Sequence, residues 1–269
     1  MNDLARPAAR GGLWGGWWSQ QAVLKAMLLR ELQGRFGRHN IGFLWMVAEP
    51  LMLASAITTL HMLSGHGMES GGMGAYPFTL LGYCLVMIFR NSFTRAESAI
   101  SGSAMLMNHS QVKPFDIMAA RMVVETMGAL IALVLLMALG IVIGLAELPV
   151  RPLYLFAGAL AIIVWSFGLS LLVGALCYKY HAIGRFVHPF AYFMFPLSGA
   201  FLTMDFLPPW GREVMAWNPF MSMFETARYG QFLGATDRYI YPGFILMNCA
   251  VSMFVGLVAI RWVRREIQL

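Results

Sequence analysis

Long apolar stretches, separated by short polar connections, decide what this chain can fold into. An α-helix needs about 20 mostly apolar residues to cross the hydrocarbon core of a bilayer. Six stretches reach or approach that length, at about residues 41–63, 75–98, 118–146, 153–177, 183–204 and 240–262. The second is strongly apolar only as far as Phe89 and is too short to cross without the polar residues that follow. The pattern predicts an all-α integral membrane protein with six transmembrane helices.

Composition supports this class and leaves little material for a soluble domain. The chain of 269 residues is 59% hydrophobic and 12% charged, whereas soluble domains carry about 25% charged residues. Cys84, Cys177 and Cys249 lie in apolar stretches without CxxC spacing and are interpreted as small apolar residues. The six histidines are scattered, and no HExxH or paired-carboxylate motif occurs. The sequence therefore predicts no catalytic residues, no metal site and no cofactor bound by this chain.

The distribution of basic residues predicts the orientation of the spans. Of the 19 lysines and arginines, six precede the first span, four lie in or beside the connection between spans 2 and 3, two in or beside that between spans 4 and 5, and three at the C-terminus. Cytoplasmic connections carry an excess of Lys and Arg, so both termini are expected in the cytoplasm of a multi-pass inner-membrane protein. The formal charge of +6 then reflects topology, and no nucleic-acid partner is needed to explain it.

The N-terminal region combines a tail, residues 1–19, with a basic amphipathic helix predicted for residues 20–38. The tail has no apolar region with a small-residue cleavage site, so no cleavable signal peptide is expected. Apolar residues recur at helical spacing from Leu24 to Leu32, while Arg30, Glu31 and Arg35 fall largely on other faces. Such a helix lies along the membrane interface, either as a simple surface anchor or as a contact for a partner.

The connection between spans 2 and 3, residues 101–116, is the longest predicted on the cytoplasmic side. Exposed apolar residues on a short loop favour a binding partner, although the methionines could also dip into lipid. The candidate contact residues here are Met105, Leu106, Met107, His109 and Lys113, with Pro114 as a helix breaker.

Ionisable and aromatic residues within the spans are candidate functional residues. Ionisable residues inside membranes are commonly functional, and Glu49 precedes Pro50 in span 1, while Arg90 and Arg95 end span 2. The two arginines either extend to the lipid headgroups or line a cavity that attracts an anionic polymer. Aromatic side chains can stack on sugar rings, but they also serve ordinary helix packing. The aromatic candidates are Tyr83, Phe190, Tyr192 and Phe193.

Residues 205–239 are too interrupted by proline and charge to form a span, yet they are rich in Phe, Met and Trp. Such a segment can form a re-entrant helical hairpin that is buried in protein rather than lipid. Glu225 and Arg228 are spaced i, i+3 and can pair with each other. The candidate residues of the segment are Trp210, Trp217, Asn218, Pro219, Glu225 and Arg228.

Two motifs in this order resemble those of the membrane subunit of ABC-2 type exporters. The first runs from Arg30-Glu31-Leu32 through Gly42-Phe43-Leu44-Trp45 to Glu49-Pro50-Leu51, and the second is Trp217-Asn218-Pro219-Phe220-Met221 with Glu225 and Arg228. The resemblance covers roughly residues 25–265, and the compact six-span form is most similar to capsular polysaccharide export permeases. It implies a permease that moves a lipid-linked capsular polysaccharide across the inner membrane.

The same resemblance implies partners and residue roles. Two copies of the chain would sit on two ABC ATPase subunits that bind ATP and Mg, because this sequence has no GxxxxGK[ST] motif of its own. A periplasmic adaptor and an outer-membrane export protein are also expected. The amphipathic helix and the loop between spans 2 and 3 would contact the ATPase, the ionisable and aromatic candidates would line the pathway, and residues 205–239 would form a periplasmic gate.

Other classes remain open at this stage. Permeases for O-antigen, teichoic acid or another glycolipid are close relatives in this resemblance, and small-molecule ABC-2 exporters are more distant. A membrane enzyme of envelope biosynthesis ranks lower, because no set of acids, histidines and nucleophile converges on one face. An ion-coupled transporter would show repeated halves, and no internal repeat is evident.

Overall fold

The computed structural model describes residues 13–36, 41–63, 73–103, 107 and 112–267. Within these ranges the chain is helical and contains no β-strand. Short 3₁₀ turns occupy Ser101–Ser103 and Met204–Phe206. The α-helices are α1 Leu13–Phe36, α2 Ile41–Leu63, α3 Ala75–Ala96, α4 Pro114–Val142, α5 Pro152–Lys179, α6 His181–Leu197, α7 Pro209–Met215, α8 Pro219–Gln231 and α9 Pro242–Ile267.

Three helices among the described residues are long and apolar enough to cross a membrane: Pro114–Val142, Pro152–Lys179 and Pro242–Arg265. A shorter apolar helical segment covers Val47–Leu60 in α2. These helices expose many large apolar side chains, which is expected where lipid rather than water is the solvent. The prediction of an α-helical membrane protein is confirmed in this coarse form.

Helix α3 lies at the centre of the molecule, and every residue from Tyr76 to Phe89 is buried. It packs against α2, α4, α5 and α6, and its aromatic residues join the main hydrophobic core. Because α3 is surrounded by protein, its ends can carry polar residues without exposing them to hydrocarbon. This location accounts for the short apolar run noted in the second predicted span.

Small residues let α5 approach its two main neighbours closely. A Cβ atom built on Gly158 of α5 would lie 2.6 Å from the backbone nitrogen of Ala227 in α8. Further along α5, Gly168 lies against Ser252 and Gly256 of α9. Close backbone contact through small residues is a main source of helix association in membranes. The packing of α5 against α8 and against α9 therefore depends on the absence of side chains at these points.

Several helix boundaries differ from the sequence-based prediction, and three of the differences have a clear physical reason. Helix α1 begins at Leu13 rather than residue 20, since the intervening glycines weaken a helix by only about 1 kcal/mol each and no proline interrupts it. Helix α4 begins at Pro114 rather than 118, because proline is well suited to the first helical position. Helix α6 ends at Leu197 rather than 204. Gly199 follows with a φ of 80°, a left-handed conformation that turns the chain away from the helix axis.

Candidate functional site

A cavity of about 350 Å³ lies between α2, α3 and α6 and is mostly apolar. We call it the aromatic cavity; its lining residues are Leu53, Ile57, Tyr83, Met87, Arg90, Tyr192, Phe195 and Phe201. Tyr83 packs edge-on against Phe195, with ring centroids 6.3 Å apart, and Phe195 in turn packs against Phe201 at 5.2 Å. The volume falls within the range of small-molecule sites, roughly 300–1,000 Å³.

Two polar pairs give this apolar cavity its chemistry. The Tyr83 hydroxyl donates a hydrogen bond to the Glu49 carboxylate of α2. The Arg90 guanidinium donates to the Tyr192 hydroxyl at 2.9 Å, and its Cζ atom lies 4.8 Å from the centroid of the Tyr192 ring. Since arginine stays protonated in proteins, the cavity carries a permanent cation beside aromatic faces. Four of the seven predicted pathway residues, Glu49, Tyr83, Arg90 and Tyr192, are thus brought together.

The other three predicted pathway residues lie elsewhere. Phe190 packs against Phe93 of α3 at 5.4 Å, and Phe193 is exposed on α6. Arg95 forms an ion pair with Glu125 of α4 at 3.0 Å between Nε and Oε1. None of these three lines the aromatic cavity.

A network of polar contacts attaches α1 to the start of α4; we call it the α1 polar layer. Gln20 donates a hydrogen bond to the buried Asp116 carboxylate, and Lys113 Nζ donates to Gln20 Oε1 at 3.2 Å. Glu31 pairs with Arg121 of α4 at 3.5 Å. Farther along, Arg30 donates to Ser103 Oγ at 3.4 Å. Helix α1 is therefore fixed to α4 and to the turn after α3 by side chains from both of its halves.

The predicted ATPase-contact residues fall partly in this layer. Arg30, Glu31 and Lys113 belong to it, and Met107 is partly buried against the core cluster that contains Ile100 and Met118. The Arg35 side chain and the residues Met105, Leu106 and His109 lie outside the part of the chain that the structure describes. Arg121 and Glu125 are spaced i, i+4 on α4, and each forms an ion pair with a residue of another helix, Glu31 of α1 and Arg95 of α3 respectively.

Helix α8 is a short buried helix whose first residues define its start. Asn218 is the N-cap, and its Oδ1 atom accepts a hydrogen bond from the Phe220 backbone N–H at 3.1 Å, with Pro219 at the first helical position. The Asn218 Nδ2 atom also donates to the Leu197 carbonyl at the end of α6, at 2.6 Å. Thirteen residues span about 20 Å, which is short of the roughly 30 Å hydrocarbon core.

Glu225 and Arg228 do more than pair with each other. Arg228 is only 1% exposed and donates to the carbonyls of Gly199 and Leu202, the latter at 2.8 Å, besides contacting Glu225 at 3.4 Å. Glu225 accepts a hydrogen bond from the Met204 backbone N–H at 3.0 Å. We call this set the α8 polar cluster. It holds the chain that follows α6 against α8.

Burial sets the electrostatics of the α8 polar cluster. Desolvation raises the pKa of the Glu225 carboxyl, and the neighbouring Arg228 charge and the Met204 N–H oppose that rise. Desolvation lowers the pKa of the Arg228 guanidinium, which the Glu225 carboxylate counteracts. The guanidinium also lies over the Phe78 ring of α3, 4.5 Å from its centroid. The two charges are thus stabilised by their mutual contact and by hydrogen bonds with backbone groups. The Arg228 guanidinium is also stabilised by the face of the Phe78 ring.

The remaining residues predicted for the gate lie at the surface. Trp210 is 72% exposed in α7 and Trp217 is 80% exposed just before α8. Sequence reasoning named the α8 residues but missed their partners, Gly199, Leu202 and Met204, because backbone groups carry no sequence signal. It also missed Phe195 and Phe201 as cavity-lining residues, although both belong to an aromatic-rich stretch.

Comparisons with known proteins agree over nearly the whole chain. Residues 22–232 match the ABC-2 type transporter family. The chain is 33% identical over 238 residues to the capsule polysaccharide export inner-membrane protein CtrC of Neisseria meningitidis serogroup B, covering 88% of this chain and 89% of that protein. It is 29% identical to the capsule polysaccharide export inner-membrane protein BexB of Haemophilus influenzae, with 90% and 91% covered. The polysialic acid transport protein KpsM of Escherichia coli is 25% identical, with 90% and 93% covered.

Proposed function

This chain belongs to the ABC-2 type transporter family, and from that premise we propose that it is the membrane subunit of an ATP-driven capsular polysaccharide exporter. The observation that carries the proposal is its similarity, along about nine-tenths of its length, to inner-membrane proteins named for capsule polysaccharide export. A permease of this kind changes no covalent bond in its cargo. ATP and Mg would be bound by separate ABC ATPase subunits.

In the proposed topology, α2, α3, α4, α5, α6 and α9 are the six spans, and both termini face the cytoplasm. The predominance of basic residues at the N-terminus, around the α3–α4 and α5–α6 connections and at the C-terminus supports this orientation. Helices α7 and α8 would form a re-entrant hairpin at the periplasmic side. The length of α8 and its burial in protein support that assignment.

The aromatic cavity is proposed as part of the translocation pathway. Its cation, Arg90, would attract the acidic groups of the polymer or of its lipid end. Its aromatic faces would contact sugar rings without holding any one hydroxyl firmly, which suits a polymer that must slide. A second copy of the chain would complete the pathway, because a cavity of about 350 Å³ in one protomer is much smaller than an extended polysaccharide.

Transmission of ATP-driven motion is assigned to the α1 polar layer. A displacement of α1 by the ATPase would pass to α4 through the contact between Glu31 and Arg121. It would reach α3 next, since Arg121 Nη1 donates to the Arg95 carbonyl at 2.9 Å and Arg95 pairs with Glu125. Arg90, which contacts Tyr192 in the cavity, lies about 7.5 Å along the same helix from Arg95.

The proposal is tested by deleting the gene in its own bacterium and locating the acidic surface polysaccharide. Polymer retained inside the cell, with lipopolysaccharide unchanged and surface polymer restored by the wild-type gene, is the expected result. A normal capsule in the deletion strain would refute the proposal. Loss of O-antigen from the surface in place of capsule would reassign the permease to the glycolipid branch of the family.

A further inference from the structure

A second groove lies on the outer surface where α5 and α9 meet, away from the aromatic cavity. It has a volume of about 530 Å³, and we call it the arginine groove. Its lining residues are Leu172, Val255, Val258, Ala259, Arg261, Trp262 and Arg265. None of these residues takes part in the aromatic cavity, the α1 polar layer or the α8 polar cluster, so the function proposed above leaves the groove unused.

The chemistry of the groove changes in one direction along α9. Val255, Val258 and Ala259 form an apolar wall, Trp262 follows one turn later, and Arg261 and Arg265 form the end. From Val255 to Arg265 the helix advances about 15 Å, at 1.5 Å per residue. That length equals about half the thickness of the hydrocarbon core, roughly 30 Å. The apolar part of the groove would lie beside the acyl chains of one leaflet of the bilayer. Trp262 and the two arginines would then lie at the depth of the lipid headgroups.

The tryptophan is held in place by the neighbouring helix. Lys179, the last residue of α5, places its Nζ atom 3.5 Å from the centroid of the Trp262 ring. Tryptophan prefers the depth of the lipid headgroups, and a cation over its ring raises the positive charge at that depth. Trp262 is still 39% exposed, and both arginines are exposed, so a ligand in the surrounding lipid can reach all three.

We propose that the arginine groove is a binding site for one anionic phospholipid of the bilayer. The acyl chains would lie along Leu172, Val255 and Val258, and the phosphodiester would be bound by Arg261 and Arg265. Arginine is suited to this task because its guanidinium can donate two parallel hydrogen bonds to phosphate oxygens. The occupant is a lipid rather than a free phosphate, since the cations stand at the end of an apolar groove open to the membrane. Basic pockets between membrane helices on the cytoplasmic side commonly bind anionic headgroups.

The test compares lipid retention by purified full-length protein in nanodiscs that contain phosphatidylglycerol or only phosphatidylcholine, measured by native mass spectrometry. Wild-type protein is expected to retain one phosphatidylglycerol in preference to phosphatidylcholine. The Arg265→Gln variant is expected to bind it about fivefold more weakly, and Arg261→Gln/Arg265→Gln about 25-fold, since each basic side chain contributes comparably near an anionic surface. Arg264→Gln is the matched control, because it removes the same charge from a neighbouring residue that does not line the groove.

Several outcomes would overturn the proposal. One is equal loss of retention in Arg264→Gln and Arg265→Gln, which would indicate diffuse attraction to the membrane surface. Another is equal retention of both lipids by the wild type, and a third is a retained adduct with the mass of a glycosylated lipid. Loss of the co-purifying ATPase from the double variant, with lipid adducts unchanged, would instead identify a protein-docking surface. Because the readout is lipid binding, it is independent of whether the exported cargo is capsular polysaccharide.

Discussion

Replacement of Arg228 by methionine should destabilise the protein strongly, because it removes the central cation of the α8 polar cluster. The substitution leaves the Glu225 carboxylate buried without its partner and deprives the Gly199 and Leu202 carbonyls of a donor. The side chains of Glu225 and Arg228 are 5% and 1% exposed, so solvent screening provides little compensation. Breaking a buried ion pair by removing one partner costs about 3–5 kcal/mol.

The assay is thermal unfolding of the purified permease in detergent. For a chain of this size, each kcal/mol lowers the Tm by about 2–4 °C, so Arg228→Met should lower it by roughly 6–20 °C. The double variant Glu225→Gln/Arg228→Met should be more stable than the sum of the two single losses predicts, by about 0.5–3 kcal/mol, since the buried unpaired charge is gone. The matched control is Arg238→Met, which makes the same change at an exposed position before α9.

Two results would refute this reasoning. Ordinary surface substitutions change the free energy of unfolding by about 0.5 kcal/mol or less. A decrease in Tm for Arg228→Met that corresponds to no more than this would mean that the cluster does not hold the chain after α6. Strict additivity of the two single variants would mean that Glu225 and Arg228 do not interact in the folded protein. Either result would also remove the basis for treating α8 and the end of α6 as one unit.

Three further predictions concern the pathway, the helix network and the packing. Arg90→Glu should abolish surface export, because it repels the acidic polymer, while Arg90→Lys keeps the charge and should retain part of it; surface polysaccharide is measured by flow cytometry. Arg95→Glu should reduce export through loss of its pair with Glu125, and the exchanged double variant Arg95→Glu/Glu125→Arg should recover part of it. Gly158→Val should lower the Tm by at least the equivalent of about 1–3 kcal/mol, because its side chain would overlap the α8 backbone.

Membrane insertion is the control for each of these variants, since charge changes near spans can alter topology. Normal amounts of Arg90→Glu in the membrane together with normal surface polysaccharide would contradict the assignment of Arg90 to the pathway. An exchanged Arg95 and Glu125 pair that exports no better than Arg95→Glu alone would show that their contact is not what matters. A Gly158→Val protein as stable as wild type would mean that α5 and α8 can separate without cost.

Some candidate residues could be recognised from the sequence because their chemistry is unusual for their position. Arg90 and Glu49 stand out as ionisable residues in apolar surroundings. Arg90 lines the aromatic cavity, and Glu49 accepts a hydrogen bond from Tyr83, which also lines it. Arg95 stands out in the same way, yet its side chain pairs with Glu125 and does not line the cavity. Sequence position gives the depth of a residue along a helix but not the direction its side chain takes.

The sequence by itself determined the class of the protein and the course of its main helices. The length of the apolar stretches and the composition of the chain indicate that lipid surrounds its helices. Local signals such as Asn218-Pro219 mark where a helix begins. These properties act over a few neighbouring residues and can be read directly along the chain. The start of α4 at Pro114 also depends on a local signal, since proline's fixed φ favours the first helical position, although the apolar pattern alone predicted residue 118.

Only the tertiary structure decided which residues meet across helices. The end of α6 depends on Asn218 and Arg228, which lie 20 to 30 positions later and bind its last carbonyl and those of the following turn. The burial of α3 depends on the helices that surround it, and the pairing of Glu31 with Arg121 depends on how α1 lies against α4. Such contacts arise from the packing of distant surfaces, and no local pattern of residues specifies them.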